Sequence, residues 1–318
     1  MAMRWGIAGT GRIASDFVRD LANVPDATVV AVGSRTLAGA QDFATKFNIP
    51  TAVESVDALG ALDDVDVVYV AGIHPVHHDH AIAMMRAGKH VLVEKPIAMD
   101  VAEATSMIAT SRETNRFLME AMWMRFNPLH VALKQRLDTG EFGRIISIES
   151  DFSFSVPFDP NHRLFDPAKG GGSLLDVGIY PLTLAWWMNG APERWNATGV
   201  VGTTGVDESV EMDLSWSSGA TARLTCGSRR EGSRMSTITC ETATIVIPAP
   251  SHASNVAEVR TSTGTEHMEC APAGLHHQVS EVHRCIAAGL RESPRMTHAD
   301  SVLITTFMHD VLAHLASS

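Results

Sequence analysis

Residues 4–14 read RWGIAGTGRIA, an apolar run followed by a glycine-rich turn and the start of a helical pattern. Gly9, Gly11 and Ala14 give the spacing G-x-G-x-x-A. The first glycine permits a tight turn, the second lets the backbone approach a pyrophosphate, and the small third residue lets helix and strand pack closely. The helix N-terminus adds unpaired N–H groups and a positive dipole end. The stretch therefore predicts a dinucleotide site; the alternative is a tight turn that binds no ligand. The residues expected to contact the dinucleotide are Gly9, Thr10, Gly11, Arg12 and Ile13.

The first 120 residues alternate between short apolar runs and helical patterns. Strands are predicted over Arg4–Ala8, Thr28–Gly33, Asp66–Ala71, His90–Val93 and Phe117–Glu120. Helices are predicted over Ile13–Ala22, Leu37–Phe47, His78–Ala87 and Val101–Thr114. Apolar strands that alternate with helices indicate a parallel sheet covered on both faces, and right-handed crossovers make it doubly wound. The fold class is therefore α/β, beginning with a Rossmann domain.

The second half of the chain has a different rhythm. A helix near residues 129–139 leads to a strand near 145–154, a glycine-rich loop and a helix near 174–188. Between residues 197 and 260, strands follow one another without helices, which indicates an antiparallel sheet in an α+β domain. Helices near 276–289 and 299–315 close the chain. We expect a dinucleotide-binding domain over 1–122 and a substrate-binding and oligomerisation domain over 123–318; the pattern leaves open whether the final helix returns to the first domain.

Composition bounds the function. A chain of 318 residues with 45% hydrophobic and 19% charged residues is typical of a two-domain globular protein. The net charge of −11, without a Lys/Arg run, argues against nucleic acid and anionic membranes as partners. No apolar run has the length of a membrane span, the N-terminus lacks a leader pattern, and the four cysteines form no C-x-x-C pair. A cytoplasmic location is expected.

The end of the second strand indicates which dinucleotide binds. NAD enzymes usually place an Asp or Glu there for the ribose 2′-hydroxyl. This chain has Ser34 and Arg35 instead, and no carboxylate before Asp42. A hydroxyl and a guanidinium suit a 2′-phosphate, so NADP is favoured over NAD. The alternative is that Arg35 is a solvated residue at a helix start.

Two further stretches carry chemistry. In open α/β sheets, ligands bind beyond the carboxyl ends of strands, where Glu94-Lys95-Pro96 follows a predicted strand. In GGGSLLDVGIYP at 170–181, Asp176 and Tyr180 are four residues apart and would share one helix face. A tyrosine can exchange the hydroxyl proton during hydride transfer if a cation such as Lys95 favours its phenolate. The alternatives are a surface Lys95 paired with Glu94 and an ordinary helix tyrosine.

Taken together, GTGRIA at 9–14, EKP at 94–96 and GGGSLLDVGIY at 170–180 resemble the Gfo/Idh/MocA oxidoreductases. The resemblance extends over nearly the whole chain. LMEAMWMRFNP at 118–128 and TGVDESVEM at 204–212 are similar to the branch of dimeric dihydrodiol dehydrogenases, also described as NADP-dependent D-xylose 1-dehydrogenases. The resemblance implies that the second domain carries a large, open, mostly antiparallel sheet that forms subunit contacts, giving a homodimer or homotetramer.

The resemblance also implies roles for individual residues. Lys95 and Tyr180 would be the catalytic pair, with Asp176 positioning the substrate or the catalytic side chains. Glu94 would lie near the nicotinamide ribose, and the peptide before Pro96 would be cis. The remaining implied contacts are to the substrate (Trp123, Arg125, Phe152) and to the cofactor (His74, His77). His74 and His77 lie in Gly72-Ile73-His74-Pro75-Val76-His77, where the common family loop reads T-P-N-x-x-H, and this segment contains no Asn.

The expected function is NADP-dependent hydride transfer at a hydroxyl-bearing carbon of a sugar, cyclic polyol or trans-dihydrodiol. A non-catalytic redox sensor, a sugar–sugar oxidoreductase with tightly held cofactor, and hydrolysis through transient oxidation stay open. Retention of both Lys95 and Tyr180 favours the enzyme over the sensor. The cluster His74, His77, His78 and His80 suggests a metal, but no Cys or H-E-x-x-H motif completes a site, so none is expected.

Overall fold

A computed structural model describes residues 2–317 as two compact units. The first unit runs to Trp123 and includes Gly274–Thr305; the second comprises Met124–Ala273 and the chain from Thr306 onward. The sequence-based division assigned everything from residue 123 to the second domain. In the structure, the segment Gly274–Thr305 belongs to the first unit instead, because long-range hydrogen bonds hold it there.

The first unit is a Rossmann domain, as predicted. Its six parallel strands are β1 (Met3–Ala8), β2 (Ala27–Ser34), β3 (Thr51–Glu54), β4 (Val67–Val70), β5 (His90–Val93) and β6 (Leu118–Glu120). They lie in the order β3-β2-β1-β4-β5-β6, which is that of dinucleotide-binding folds. The connecting helices are α1 (Arg12–Leu21), α2 (Leu37–Phe47), α3 (Val56–Gly60), α4 (His77–Arg86) and α5 (Val101–Thr114).

Burial explains which of these elements the sequence revealed. Every residue of β4 is buried, as are three of the four in β5, so both read as continuous apolar runs. β3 and α3 were not predicted. β3 has only four residues at the sheet edge, none of them fully buried, and it therefore lacks an apolar pattern.

Long-range hydrogen bonds hold α8 (His276–Ala287) and the first part of α9 (His298–Ser317) in the first unit. The His276 amide donates to the Asp20 carboxylate (2.8 Å), at the end of α1. The Trp5 indole donates to His283 (3.0 Å), and the Leu118 amide of β6 to the Arg291 carbonyl (2.9 Å). These bonds join positions more than 170 residues apart, and a local pattern does not reveal them.

The second unit is built on an eight-stranded sheet in the order β14-β13-β12-β11-β7-β10-β9-β8. Its strands are β7 (Ile145–Ser153), β8 (Arg194–Val201), β9 (Asp207–Ser215), β10 (Thr221–Gly227), β11 (Ser236–Cys240), β12 (Ala243–Ile247), β13 (Val256–Thr261) and β14 (Gly264–Glu269). Only β7 and β10 pair in parallel, which confirms a mostly antiparallel sheet. Its helices are α6 (Pro128–Asp138), α7 (Ile179–Asn189) and the end of α9.

One face of this sheet forms the core of the unit. In β9, Val210, Met212 and Leu214 are buried, whereas the intervening Glu211 and Asp213 point away from the core. Such alternation is expected of an antiparallel sheet with one covered face. Among residues 2–317, no helix is long and apolar enough to cross a membrane.

Candidate active site

The glycine-rich loop has the shape that a pyrophosphate requires. Gly9 has φ +122°, and a Cβ there would lie 2.8 Å from the Ala71 carbonyl oxygen, so only glycine fits the turn. Gly11 stands at the start of α1, and a Cβ there would meet no atom within 4 Å. Open space in front of a helix N-terminus suits an anion. The Arg12 side chain is 97% exposed and makes only a long ion pair with Asp16 (3.8 Å).

The end of β2 lies beside this loop. The hydroxyls of Thr10 and Ser34 are 3.4 Å apart, which places Ser34 at the loop. Arg35 is exposed, and Thr36 caps α2 by accepting from the Gly39 amide (3.2 Å). The structure adds one residue that the sequence did not indicate: Glu54 pairs in register with Ser34 and so brings a carboxylate to the same sheet edge.

Glu94 is anchored at the end of β5. Its carboxylate accepts a short hydrogen bond from the Tyr69 hydroxyl, and the Lys95 amide lies 3.3 Å from the other oxygen. Tyr69 is fully buried in β4 and stacks on Phe17 at 3.8 Å. Sequence reasoning missed Tyr69; the signal was a lone phenol in the otherwise aliphatic run VVYV. The Lys95–Pro96 peptide is cis, as the resemblance implied.

His77 connects two strand-end loops. Its Nδ1 lies 2.8 Å from the Pro96 carbonyl and its Nε2 3.2 Å from the Gly72 carbonyl. Burial lowers the pKa of His77 to about 4, and the charge of Lys95 contributes to the same direction. His77 is fully buried between the two loops, and its contact with a cofactor stays a prediction. His74 is also buried, with its ring 5.8 Å from that of His77.

The segment after Pro96 is held by Glu120 of β6. One Glu120 oxygen accepts from the Ile97 amide (3.0 Å) and the other from the Ser301 hydroxyl (2.7 Å). Three neighbouring strand ends thus contribute to the surroundings of Lys95.

Within residues 2–317, no group of three or more His, Cys, Asp or Glu side chains could hold a metal ion.

In the second unit, Asp176 lies in a π-helical turn (Leu174–Gly178) that leads into α7. The sequence predicted one regular helix here. Arg163 binds both Asp176 oxygens, at 2.9 and 3.1 Å, and was not singled out by its sequence context. Such a bidentate pair holds the carboxylate in one orientation.

Tyr180 lies in a small aromatic cluster. It is 8% exposed, and its ring centroid lies 5.5 Å from that of Phe152 and 4.9 Å from that of His252. The Phe152 and His252 rings are stacked at 4.3 Å. Sequence reasoning missed His252 because it follows a strand in a different part of the chain, in the short turn Ser251–Ala253.

The two other predicted substrate contacts come from a single turn, Trp123–Phe126. Trp123 is half-buried and ends the first unit. Arg125 is buried in the second unit, with its guanidinium carbon 5.1 Å from the centroid of the Trp187 ring.

Family models match both halves of the chain. Residues 3–122 match the GFO/IDH/MocA oxidoreductase family with an NAD-binding Rossmann fold, and residues 130–246 match the C-terminal domain of that family. The chain belongs to the GFO/IDH/MocA family. It is therefore an NAD(P)-dependent dehydrogenase, and Gly9, Gly11 and the start of α1 fit the dinucleotide.

Individual relatives agree with this assignment. The chain is 38% identical to the trans-1,2-dihydrobenzene-1,2-diol dehydrogenase of Danio rerio, over 98% of this chain and 96% of that protein. It is 28% identical to KijD10, a 3-ketoreductase from Actinomadura kijaniata solved with NADP and TDP-benzene (TM-score 0.85, 98% of both chains). An aldose–aldose oxidoreductase from Caulobacter crescentus shares the fold at 23% identity (TM-score 0.88, 100% of this chain and 98% of that one).

Proposed function

We propose that this dehydrogenase transfers hydride between NADP and a hydroxyl-bearing carbon of a sugar, cyclic polyol or trans-dihydrodiol. One observation carries the proposal: Tyr180, a weakly acidic hydroxyl, lies largely buried between aromatic rings on the helix that Asp176 precedes. A proton donor in such surroundings is suited to acid–base chemistry on an uncharged, ring-shaped substrate. The similarity to trans-1,2-dihydrobenzene-1,2-diol dehydrogenases supports a substrate of this class.

Hydride chemistry would come from the nicotinamide when it is bound. In the proposed mechanism, residues of this chain transfer the hydroxyl proton and orient the substrate. Tyr180 takes the hydroxyl proton during oxidation and returns it during reduction. Lys95 favours the phenolate form of Tyr180 through its positive charge. Asp176, oriented by Arg163, accepts hydrogen bonds from substrate hydroxyls. In this proposal, the substrate site is lined by Trp123, Arg125 and Phe152.

Cofactor contacts are proposed from the first unit. Gly9, Thr10, Gly11, Arg12 and Ile13 would hold the pyrophosphate through backbone N–H groups at the start of α1. Glu94, held by Tyr69, would accept from a ribose hydroxyl. His74 and His77 stay proposed contacts, and His77 also joins the two loops that follow β4 and β5.

The choice of NADP rests on Ser34 and Arg35. Ser34 lies beside the glycine-rich loop, and the exposed Arg35 offers a guanidinium for a phosphate. The complex of KijD10 with NADP supports the proposal. Glu54 on the neighbouring strand instead favours NAD, since a carboxylate there would repel a 2′-phosphate.

Self-association through the open face of the eight-stranded sheet is also proposed. The outward-facing side chains of this sheet include the ion pair of Arg223 with Glu211, and β7 exposes Ile146. A sheet that exposes both apolar and charged side chains could be covered by a second copy. Sedimentation of the purified protein would give the number of subunits.

The test is Tyr180→Phe, measured by NADPH absorbance with a panel of aldoses, inositols, trans-dihydrodiols and dicarbonyls. We expect kcat to fall by about 10²–10⁴-fold with the NADP dissociation constant unchanged, because only proton transfer is removed. Phe158→Leu, an aromatic change outside the cluster, is the control. Near-normal turnover by Tyr180→Phe would refute the mechanism. No turnover by the wild type with any substrate would favour a sensor, and turnover between two sugars without added NADP would favour a sugar–sugar oxidoreductase.

A further inference from the structure

The helix that carries Tyr180 begins against a carboxylate from a distant strand. Asp207, the first residue of β9, is only 4% exposed. One of its oxygens accepts from the Ser173 hydroxyl and from the Leu174 amide, both at 2.7 Å. Leu174 opens the π-helical turn that holds Asp176 and leads into α7. Asp207 therefore binds the start of the catalytic segment from across the sheet.

Ser173 would normally cap this segment itself. Serine at an N-cap position accepts from amides of the first turn, yet the Ser173 hydroxyl makes no such bond and donates to Asp207 instead. A carboxylate at a helix start satisfies an unpaired amide and interacts favourably with the positive end of the dipole. Asp207 thus replaces the local cap with a tertiary one.

Gly172 makes room for this carboxylate. Its φ is +117°, and a Cβ there would lie 2.3 Å from the second Asp207 oxygen. The glycine-rich segment GGGS therefore has a structural purpose beyond access for a ligand: the backbone before the helix lies directly on the Asp207 side chain. A shift of Asp207 would move the beginning of the segment with it.

We infer that Asp207 is a positioning residue for the reaction, setting the start of the helical segment so that Asp176 and Tyr180 hold their orientations. The inference rests on the proposed role of Tyr180. It assigns to Asp207 no contact with substrate or cofactor. Displacement of reacting groups by about 1 Å lowers rates by as much as about 100-fold, so a loosened helix start is expected to affect turnover.

The charge state of Asp207 gives the inference a distinctive signature. Burial raises its pKa to about 6, against the opposing bonds from Ser173 and Leu174. Cys226 interacts with Asp207, and burial raises the pKa of that thiol to about 12, so it stays protonated. Glu208, the next residue of β9, faces Arg229 at 3.7 Å, and Asp176 is held by Arg163. Below about pH 6, Asp207 gains a proton and loses acceptor capacity at the helix start.

The experiment compares Asp207→Asn with Asp310→Asn, an exposed position on α9 of the same unit. We expect Asp207→Asn to lower kcat about 10- to 100-fold with unchanged NADP affinity, and to lose the decline of wild-type kcat below about pH 6. Asp310→Asn should behave as the wild type. Ser173→Ala should also lower kcat, and the double variant should lose no more than the larger single loss, because both remove one interaction.

The outcomes separate this inference from the proposed function. Near-normal turnover by Tyr180→Phe refutes the proposed role of Tyr180, on which the positioning role of Asp207 rests. An inactive Tyr180→Phe together with wild-type kcat and pH profile in Asp207→Asn overturns only the positioning role. If Asp207→Asn loses NADP affinity and melting temperature together with kcat, the positioning role is also overturned, since Asp207 would then support folding in general.

Discussion

The two units assemble their proposed functional groups in different ways. In the first unit, the groups lie at the ends of β1, β2, β4 and β5, each within a few residues of its strand. In the second unit, Phe152 and His252 lie against Tyr180 and Asp207 lies at the start of its helical segment, and these residues come from three other parts of the chain. A parallel sheet brings all strand ends to one edge by its topology, whereas the antiparallel sheet depends on individual long-range side-chain contacts.

If the first unit forms its cofactor site mainly from backbone atoms, substitutions at Gly9 and Gly11 should have different effects on stability and on NADP binding. Gly9→Ala should lower the free energy of unfolding by about 3 kcal/mol, because a Cβ at φ +122° is strained and would lie 2.8 Å from the Ala71 oxygen. Gly11→Ala should leave stability unchanged, since nothing lies within 4 Å, and weaken only NADP binding. Thermal unfolding with and without NADP measures both. Equal destabilisation by the two variants would contradict the account.

Cofactor choice tests whether side chains at the strand ends add specificity to that backbone frame. Arg35→Ala should reduce the preference for NADP over NAD by about 30-fold, the equivalent of one charge-assisted hydrogen bond of about 2 kcal/mol. Glu54→Gln, on the neighbouring strand, should leave NADP preference equal or higher, because it removes a negative charge. The ratio of kcat/KM values for the two cofactors measures the change. An unchanged ratio in Arg35→Ala would remove Arg35 from the site.

One buried histidine in each unit, His77 in the first and His130 in the second, allows the free energies of unfolding to be compared. His77 contacts two carbonyl oxygens, whereas neither ring nitrogen of His130 has a hydrogen-bond partner among the described residues. At pH 7, His77→Leu should cost about 2 kcal/mol, because neutral His77 donates its one N–H to one of these buried carbonyls and the substitution removes that bond; His130→Leu should cost little. Denaturant unfolding checks this order; the reverse order would show that His130 has a partner such as bound water.

The same histidines predict a pH dependence. Burial lowers the pKa of His77 and of His130 to about 4, below the value of about 6.5 in an unfolded chain. Between these values the unfolded state binds more protons, so stability is full above about pH 6.5 and declines as the pH falls toward 4. His130→Leu should reduce the loss between pH 7 and 5 by up to about 2 kcal/mol. An unchanged slope in that variant would mean that His130 does not titrate in this way.

Periodicity and motif spacing predicted the Rossmann unit and the antiparallel character of the second sheet. The comparisons confirm the family. β3 and α3 were missed because a short edge strand buries too little to show a pattern. The sequence assigned Gly274–Thr305 to the second domain and left open only whether the final helix returns to the first, since the return depends on contacts such as that of His276 with Asp20.

The sequence by itself determined the glycine-rich turn and the Glu94-Lys95-Pro96 strand end, because each depends on neighbours a few residues away. Only the tertiary structure revealed Tyr69 beneath Glu94, Arg163 on Asp176, His252 against Tyr180 and Asp207 at the start of the helix. These partners are 13 to 72 residues from the groups they hold (Arg163 to Asp176, Tyr180 to His252). Hydrogen bonds and ring contacts act over a few ångströms of space, and distance along the chain does not record them.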